Sequence, residues 1–456
     1  MSVPSTIERQ RRFFQTGATR DVAFRARQLQ TLQRALKEHE AALLAAIYED
    51  FRKSSFDTQT TELALVHQEL REAQLELPRW AKAQRVPTNW INLPGKSYVI
   101  PEPLGTSLII GAWNYPYQLS LLPVVSALAA GNTVILKPSE LPAQTGKALA
   151  ELVATHFDPA CFTVVEGGAE QAQQLLEHRF DKVFFTGSAE VGKLVYQAAA
   201  KHLTPVTLEL GGKSPAIVAR DCDLRVTARR LMWAKYLNAG QTCVAPDYLL
   251  VDAAVESALL QACRDEICSA KYSFENGNYV QIINDRHFDR LAALIDHDKV
   301  YFGGHCDRPT RYIEPTILTD VGVEHPSMQE EIFGPLLPVV RYTDVDAALA
   351  VIRERPRPLA CYVFSNDRRL QERVVREVPF GGGAINDAMM HLSNSRLPFG
   401  GVGQSGFGSY HGEAGFRTFS HYKSVLKKSV WPDPSLRYSP HTETKLRWVK
   451  KLLRAD

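Results

Sequence analysis

The chain lacks any apolar stretch long enough to cross a membrane. Its longest apolar run, residues 119–130, contains Pro123 and two serines, whereas a spanning helix needs about 20 apolar residues. Residues 1–21 are polar and charged, without the apolar segment of a secretory signal. We therefore expect a cytoplasmic protein without a spanning segment, in which residues 119–130 form a buried helix.

A strong charge imbalance and a cysteine framework are also missing. The 53 Lys and Arg residues against 50 Asp and Glu leave a net charge of +3, which gives no argument for nucleic-acid binding. The seven cysteines form no C-x-x-C pair and no zinc-like spacing. We expect a reduced protein that binds no metal, and 456 residues suffice for two or three domains.

One cysteine does stand in a setting suited to chemistry. Residues 237–247, LNAGQTCVAPD, place Cys243 in a small polar turn. A cysteine is more often a small buried hydrophobe, but Gly240 permits close backbone approach and Gln241 is too polar for a core strand. Main-chain N–H groups beside the sulfur would lower the thiol pKa and hold an oxyanion. The turn predicts that Cys243 is a nucleophile.

Two further segments offer a base and an oxyanion donor. In LELGGKSP, residues 208–215, Glu209 ends an alternating strand pattern just before two glycines, which suits a general base. Taken alone, such a glutamate is more often a surface residue. In IIGAWNYP, residues 109–116, Asn114 follows an apolar strand, and its side-chain NH2 is a donor for an oxyanion.

The aromatic and histidine neighbours are less specific. Tyr115 and Tyr117 are candidates for lining an aromatic or acyl channel, but they are as well suited to packing. His391 and His411 are candidates for another base. Neither has a paired carboxylate at a recognisable spacing, so structural roles are favoured for both.

The order of periodic segments predicts an α/β fold. Residues 6–83 have helical spacing, and KSYVIPEP is strand-like within residues 86–105. Strand and helix patterns then alternate to residue 210, which indicates a doubly wound parallel sheet. A second α/β stretch runs from residue 214 to about 419. With the junction near residues 210–212, Glu209 and Cys243 face each other across an interdomain cleft.

Two glycine motifs are candidates for binding a cofactor phosphate. Gly401, Gly403 and Gly406 fit the dinucleotide pattern G-x-G-x-x-G, but they follow no strand and open no helix, so we interpret this match as a decoy. In FTGSAEVG, residues 185–192, a strand runs directly into a helix. Amides at the amino end of that helix can bind a phosphate.

Seven segments together carry a family resemblance. They are AWNYP (112–116), KPSE (137–140), FTGSAEVG (185–192), LELGGKSP (208–215), GQTCVAPDY (240–248), EEIFGPLLPV (330–339) and LPFGGVGQSGFGSYHG (397–412). The chain resembles the aldehyde dehydrogenases over residues 106–422, and within them it is most similar to the class 3 and fatty-aldehyde branch. The seven segments also occur in the order typical of that family.

The resemblance implies a domain organisation. It assigns residues 1–82 and 106–210 to a Rossmann-type NAD(P)-binding domain with amino-terminal helices, and residues 211–421 to an α/β catalytic domain. Residues 83–105 and 422–440 would form a small β oligomerisation flap, followed by an amphipathic carboxyl-terminal helix over residues 441–456. It also implies a homodimer built by the segments 96–103 and 423–430.

The resemblance further implies the chemistry. An aldehyde would be oxidised to its carboxylic acid through a Cys243 thiohemiacetal and thioester, with Asn114 holding the oxyanion and Glu209 activating water. Medium or long aliphatic and aromatic aldehydes are the expected substrates. The implied cofactor residues are Trp113, Lys137, Glu140, Gly187, Ser188, Gly192, Glu331 and Phe333. Because Glu140 would repel a 2′-phosphate while Lys137 offsets that repulsion, we expect NAD to be preferred and NADP tolerated.

Other functions share parts of this arrangement. A coenzyme A-acylating dehydrogenase needs Cys243 but no water-activating base. A cofactor-independent cysteine hydrolase or esterase would explain Cys243 but not FTGSAEVG or KPSE. A non-catalytic role is hardest to reconcile with the joint presence of Cys243, Glu209 and Asn114.

The carboxyl-terminal segment is basic and amphipathic. From residue 421 onwards it carries nine Lys or Arg residues and three acidic ones, with Leu446, Val449 and Leu453 on one helical face. Packing on a partner subunit is the first interpretation, with a lid or peripheral membrane contact as alternatives. In membrane-anchored relatives a spanning tail follows this region, and because the sequence ends at Asp456 we expect no spanning anchor.

Overall fold

A computed structural model describes residues 2–453, which fall into two compact units. The first comprises the residues up to Ala81 together with Glu102–His421, and the second comprises Lys82–Pro101 and the residues from Tyr422 onwards. The predicted cofactor and catalytic regions share the first unit, where each has a sheet of its own.

The helices are α1 Val3–Gln15, α2 Val22–Glu38, α3 Glu40–Phe51, α4 Ser55–Thr58, α5 Ala64–Trp80, α6 Pro116–Ala130, α7 Ala143–His156, α8 Ala169–Leu176, α9 Ala189–Ala200, α10 Leu224–Tyr236, α11 Glu256–Ala270, α12 Asp285–Ala292, α13 Val345–Arg353, α14 Arg368–Glu377, α15 Gly412–Thr418 and α16 Glu443–Leu453. The strands are β1 Gln84–Val86, β2 Lys96–Pro103, β3 Thr106–Ile110, β4 Thr133–Lys137, β5 Phe162–Val164, β6 Lys182–Gly187, β7 Val206–Leu210, β8 Pro215–Val218, β9 Tyr248–Asp252, β10 Val300–Phe302, β11 Cys306–Asp307, β12 Tyr312–Ile313, β13 Thr316–Leu318, β14 Leu336–Tyr342, β15 Ala360–Phe364, β16 Gly382–Ile385, β17 Gly406–Phe407 and β18 Ser420–Lys427.

The predicted parallel sheet is present in the first half of the chain. Its strand order is β17-β7-β6-β3-β4-β5, and the pairs among β3 to β7 are parallel. Apolar residues fill these strands because helices cover both faces, with α6 packed on β3 and β4 and α9 on β6 and β7. This topology places the carboxyl ends of β3, β4, β6 and β7 along one edge, where ligands bind in open α/β sheets.

A second sheet carries the other half of the first unit. Its order is β10-β13-β14-β9-β8-β15-β16, parallel except for β10. A buried cluster that includes Ile217, Leu250 and Val363 fills the space between this sheet and its helices. The chain passes from the first sheet to the second between β7 and β8, at residues 211–214.

The N-terminal region is helical, as predicted, but it is interrupted. Gly17 adopts a left-handed conformation with φ 78° after α1, and Asp21 caps α2 by accepting hydrogen bonds from the N–H groups of Ala23 and Phe24. A π-helical turn, Gln59–Leu63, joins α4 to α5.

The longest apolar run is a buried helix. Every residue of α6 is buried in the first unit, which confirms the interpretation of residues 119–130. Among residues 2–453, no helix combines the length and apolar character that crossing a bilayer requires.

The glycines at 401, 403 and 406 are not a cofactor turn. Gly403–Ser405 form a short 3-10 helix, and β17 then pairs antiparallel with β7, with Gly406 opposite Glu209. The decoy interpretation is therefore confirmed, since no strand–turn–helix unit exists there.

The second unit contains a three-stranded sheet of order β1-β2-β18, and β2 coincides with the strand-like KSYVIPEP. Its exposed apolar side chains are Val86, Trp90, Ile91, Leu93, Leu426, Val430 and Trp431. The helix α16 exposes Leu446, Trp448, Leu452 and Leu453. This unit therefore presents apolar surface that an isolated domain seldom exposes.

Candidate active site

The turn before Cys243 is held in a strained but well-bonded conformation. Asn238 and Ala239 have left-handed backbones with φ 54° and 52°. At Gly240, a Cβ atom would lie 2.2 Å from the carbonyl oxygen of Gly334. The buried Gln241 amide donates to the carbonyls of Asn238 and Gln281 at 3.2 and 3.1 Å. The polar side chain of Gln241 thus stabilises the turn through hydrogen bonds. These bonds fix the backbone that leads to Cys243.

The surroundings of Cys243 oppose ionisation. Burial, followed by the nearby carboxyl groups of Glu331 and Glu209, raises the pKa of the thiol to about 12. Main-chain N–H groups of Cys243 and Val244 act in the opposite direction but are weaker. The expectation of a lowered pKa is therefore wrong, because burial outweighs the turn amides.

Asn114 is tied directly to this turn. It lies between β3 and α6 and is buried, and its side-chain N–H donates to the carbonyl of Gln241 at 3.1 Å. In return, the Asn238 amide donates to the Asn114 carbonyl at 3.0 Å. A side-chain amide has two hydrogens to donate, so one remains for an oxygen atom in the cavity that Asn114 and Cys243 both line.

Glu209 is buried without a hydrogen-bond partner. It lies on β7, is 3% exposed, and neither carboxyl oxygen is bonded within residues 2–453. Burial raises its pKa well above the ordinary value, because a charged carboxylate is poorly solvated there. An unpartnered buried carboxyl is costly in a structure, and such groups concentrate at functional sites.

A single cavity of about 1020 Å³ joins these three residues to the expected cofactor residues. Besides Asn114, Glu209 and Cys243, its walls include Trp113, Lys137, Glu140, Gly187, Ser188, Glu331 and Phe333. The predicted proximity of Glu209 and Cys243 is thus present, with Glu209 on the first sheet and Cys243 in the loop that leads into the second.

Gly192 does not line this cavity. It lies in α9, and a Cβ atom there would stand 2.7 Å from a methyl group of Leu210. Its expected contact with the cofactor therefore gains no support from the cavity wall and stays a prediction. Gly192 lets α9 approach β7 closely, which positions the amino end of that helix without forming part of the wall.

The turn between β6 and α9 fits a cofactor phosphate. Ser188 caps α9 by accepting a hydrogen bond from Val191 N–H at 3.3 Å. A Cβ on Gly187 would lie 2.6 Å from the Phe185 ring, so any larger residue would force that ring to move. The open amides and positive dipole at the amino end of this 12-residue helix suit an anion.

Lys137 and Glu140 stand together further along the cavity wall. Their Nζ and Oε2 atoms are 2.9 Å apart, with Lys137 buried and Glu140 half exposed. Burial acts against ionisation, but the hydrogen bond and charge of Lys137 hold the pKa of Glu140 below its usual value. This pair offers one acceptor and one donor to ribose hydroxyls.

The structure adds wall residues that the motifs did not indicate. The helix α12 contributes Arg286, His287 and Arg290. The His287 ring lies 5.5 Å from that of Trp113, which in turn lies 5.4 Å from Phe333. Two arginines in a cavity suited to a pyrophosphate are chemically apt, but nothing in this part of the sequence distinguishes them from surface arginines.

The two tyrosines lie behind the wall. Tyr117 is fully buried and its hydroxyl donates to the Leu43 carbonyl at 2.7 Å, so it packs in the core and does not line the cavity. The Tyr115 hydroxyl is 2.7 Å from Thr242 Oγ1. Tyr115 therefore supports the nucleophile turn, and the channel assignment is corrected for both.

His391 and His411 are also away from the cavity wall. Burial lowers the pKa of each to about 4, so both rings are neutral at physiological pH. Both imidazoles contact the Phe399 ring, at centroid distances of 6.1 and 5.3 Å. These contacts agree with structural roles.

The cavity and its sheet define a dinucleotide-dependent oxidoreductase whose cofactor groove reaches a cysteine. The chain belongs to the aldehyde dehydrogenase family, whose profile matches residues 2–425. It is similar to the class 3 branch of that family, and it is an NAD(P)-dependent enzyme that oxidises an aldehyde to a carboxylic acid.

Individual relatives match over nearly the whole chain. Aldehyde dehydrogenase family 3 member A2 of Pongo abelii is 45% identical, covering 98% of this chain and 93% of its own length. The dimeric NADP-preferring aldehyde dehydrogenase of Rattus norvegicus is 44% identical, with 96% and 98% covered. A solved structure of Staphylococcus aureus AldH in a substrate-bound state has a TM-score of 0.97 at 43% identity, with 99% and 100% covered.

Proposed function

We propose that Cys243 is the nucleophile of this dehydrogenase, Asn114 its oxyanion donor and Glu209 its general base. The observation that carries the proposal is that these three side chains line one cavity with the candidate cofactor residues. Asn114 and the turn of Cys243 are also linked by hydrogen bonds. Their relative placement is therefore fixed before substrate binds.

In the first chemical step the Cys243 thiolate, its proton already lost to solvent, attacks the aldehyde carbon, so the Sγ–C bond forms while the C=O π bond opens to an oxyanion. The resulting oxyanion accepts hydrogen bonds from the free Asn114 N–H and the Cys243 main-chain N–H. Glu331 and Phe333 line the cavity where a nicotinamide would be held, and when bound that group would supply the acceptor for the hydride that this carbon loses. Cys243 then carries a thioester.

The second step is hydrolysis of the thioester. Glu209, once deprotonated, takes a proton from a water molecule, the water oxygen attacks the acyl carbon, and the Cys243 thiolate leaves with release of the carboxylic acid. Because burial raises the Glu209 pKa, the group is a stronger base than an exposed glutamate whenever it is ionised.

For the cofactor, we infer a preference for NAD with NADP tolerated. The acceptor oxygens of Glu140 support ribose binding, and their charge opposes a 2′-phosphate. Lys137, only 2.9 Å away, offsets part of that repulsion. The rat relative is named NADP-preferring, so the two cofactors must be compared directly. The test is the ratio of kcat/KM with NAD to kcat/KM with NADP, and a clear preference for NADP would refute the inference.

Medium or long aliphatic and aromatic aldehydes are the proposed substrates. Leu119, Phe399 and Tyr410 line the cavity that also contains Cys243, and such side chains favour apolar substrates. The test is NADH formation across acetaldehyde, long-chain alkanals, benzaldehyde and cinnamaldehyde, with Cys243→Ser as control. Turnover should rise with apolar size and vanish in the control, whereas ester hydrolysis without any NADH formation would indicate a cysteine hydrolase.

We also propose a cytoplasmic homodimer. The exposed apolar residues of the second unit, which contains the three-stranded sheet, support pairing of two copies. The name of the rat relative also includes the word dimeric. For α16, packing on a partner subunit is proposed ahead of contact with a membrane surface. Co-sedimentation with anionic vesicles, comparing the full chain with one stopped before Thr442, tests the membrane alternative.

A further inference from the structure

A buried ion pair joins two segments that adjoin the candidate site. Lys213 Nζ and Asp247 Oδ2 are 2.6 Å apart, and their side chains are 7% and 6% exposed. Lys213 directly follows the two glycines after Glu209, while Asp247 lies four positions after Cys243. Neither residue lines the cavity, so neither is in a position to touch substrate or cofactor. The pair nevertheless joins the two segments that carry the proposed base and nucleophile.

The same pair binds a third segment, which carries Glu331 and Phe333. Lys213 Nζ donates to the carbonyls of Ser327 and Glu330 at 2.7 and 3.0 Å. Asp247 Oδ1 accepts a hydrogen bond from Ile332 N–H at 3.0 Å. The backbone on both sides of Glu331 is thereby fixed by one lysine and one aspartate.

This segment needs such support because it has no regular secondary structure. Residues 331–333 lie between the 3-10 turn Pro326–Met328 and β14. Phe333 has a left-handed backbone with φ 52°, a conformation that a residue with a bulky side chain keeps only when its neighbours enforce it. Arg290 completes the restraint by donating to the Ile332 carbonyl at 2.6 Å.

We propose that Lys213 and Asp247 are positioning residues that set Glu331 and Phe333 for the nicotinamide ribose. This inference depends on the proposed cofactor role of Glu331 and Phe333. The proposed role of the ion pair is therefore in cofactor binding and not in the chemistry of Glu209 or Cys243, although Lys213 and Asp247 lie close to those two residues in the sequence.

The test separates cofactor binding from thiol chemistry. The full-length wild-type protein and the variants Asp247→Asn and Asp247→Ala are titrated with NADH and with NADPH, and binding is followed by fluorescence. The dissociation constant of whichever cofactor binds the wild type more tightly is then compared between wild type and variants. The rate of Cys243 alkylation by iodoacetamide without cofactor and the thermal unfolding midpoint are measured in parallel. The matched control is Asp252→Asn at the other end of β9, where the carboxylate also accepts from one cation, Arg220, and from one backbone N–H, of Ala254.

For Asp247→Ala we expect Kd to rise about tenfold or more, since a buried charge-assisted hydrogen bond is lost. Asp247→Asn should give a smaller rise, because the amide oxygen still accepts from Ile332 N–H. Alkylation of Cys243 should not slow in either variant, because the Glu331 carboxyl raises the thiol pKa and its displacement acts in the opposite direction. Asp252→Asn should bind the cofactor as the wild type does. If Asp247→Ala does not fold, the rise in Asp247→Asn decides.

Two results would overturn the inference while leaving the enzyme's function intact. One is an unchanged Kd in every folded Asp247 variant. The other is a parallel loss of cofactor binding, alkylation rate and unfolding temperature, which would indicate a general structural role. A wild-type chain that bound neither NADH nor NADPH would overturn the cofactor site itself, and with it this inference.

Discussion

At Cys243, the low polarity that favours an apolar substrate also suppresses the thiolate. Since the pKa is raised to about 12, only a small fraction of the cofactor-free enzyme is ionised near neutral pH. Below the pKa the thiolate fraction rises roughly tenfold per pH unit. We expect the iodoacetamide alkylation rate of the cofactor-free enzyme to follow that slope between about pH 7 and pH 9.5 without reaching a plateau.

The control for this measurement is Cys243→Ser, which retains the exposed Cys268. Its alkylation should be subtracted from that of the wild type. A plateau below about pH 8 would show that the amides of the turn dominate after all.

A second prediction at the residue scale concerns Glu209. Glu209→Gln preserves the shape of the side chain but removes the base, so acylation should survive and deacylation should slow by about two to four orders of magnitude. Mass spectrometry after mixing with aldehyde and NAD should then detect an acyl group on Cys243. An unmodified protein with normal turnover would remove Glu209 from the mechanism.

Residue types and close neighbours were sufficient to propose Cys243, Glu209 and Asn114, which the structure brings to one cavity wall. They did not predict the direction of the Cys243 pKa shift, because burial and the Glu331 carboxyl come from packing between distant segments. For the same reason, Arg286 and His287 could not be recognised. Their helix, α12, lies at the cavity wall because of tertiary packing, which the local sequence does not reveal.

At the scale of elements, the amino end of α6 is secured by a buried ion pair. Lys53 Nζ is 2.6 Å from Glu62 Oε1, and both side chains are almost fully buried. The other carboxyl oxygen, Oε2, accepts from the N–H groups of Tyr117 and Gln118 at 2.8 and 3.3 Å. Glu62 lies in the π-helical turn Gln59–Leu63, so this turn directs its carboxyl group to the start of α6, two positions after Asn114.

We predict that Lys53→Met destabilises the protein by about 3–5 kcal/mol, because it leaves the Glu62 charge buried without compensation. Urea denaturation monitored by tryptophan fluorescence should show the loss. The double variant Lys53→Met with Glu62→Gln should recover part of it, since no charge is then stranded. Equal losses in the single and double variants would contradict the explanation.

The elements themselves were largely predictable. The strands β3 to β7 are apolar runs separated by helical patterns, and burial on both faces of the sheet is what makes such runs apolar. The π-helical turn was not predicted, because its sequence QTTEL continues the helical pattern on either side. Tyr117 was ambiguous, since tyrosines that pack in the core and tyrosines that line channels have the same local sequence.

For the whole molecule, the predicted homodimer has a direct test. Light scattering should give twice the chain mass of 51.0 kDa. Val430 and Trp431 are 95% and 79% exposed in the second unit. Trp431→Glu should therefore shift the population towards monomer, because it would bury a charge in the proposed dimer interface. Leu203→Glu is the matched control, because Leu203 is 92% exposed in the first unit. A wild-type monomer would contradict the proposal.

The cofactor sheet is completed by residues that are far away in sequence. The strand β17 pairs with the edge of β7 at Glu209, and the rings of Tyr410 and Phe419 pack on Phe184 at 5.0 and 6.0 Å. During synthesis, the amino-terminal half therefore leaves the ribosome with an unpaired strand edge and an uncovered aromatic face. Both remain until residues 406–419 have emerged, and such surfaces invite association between nascent chains. We therefore expect shielding of this edge during synthesis, as by a chaperone, to reduce aggregation of the nascent chain.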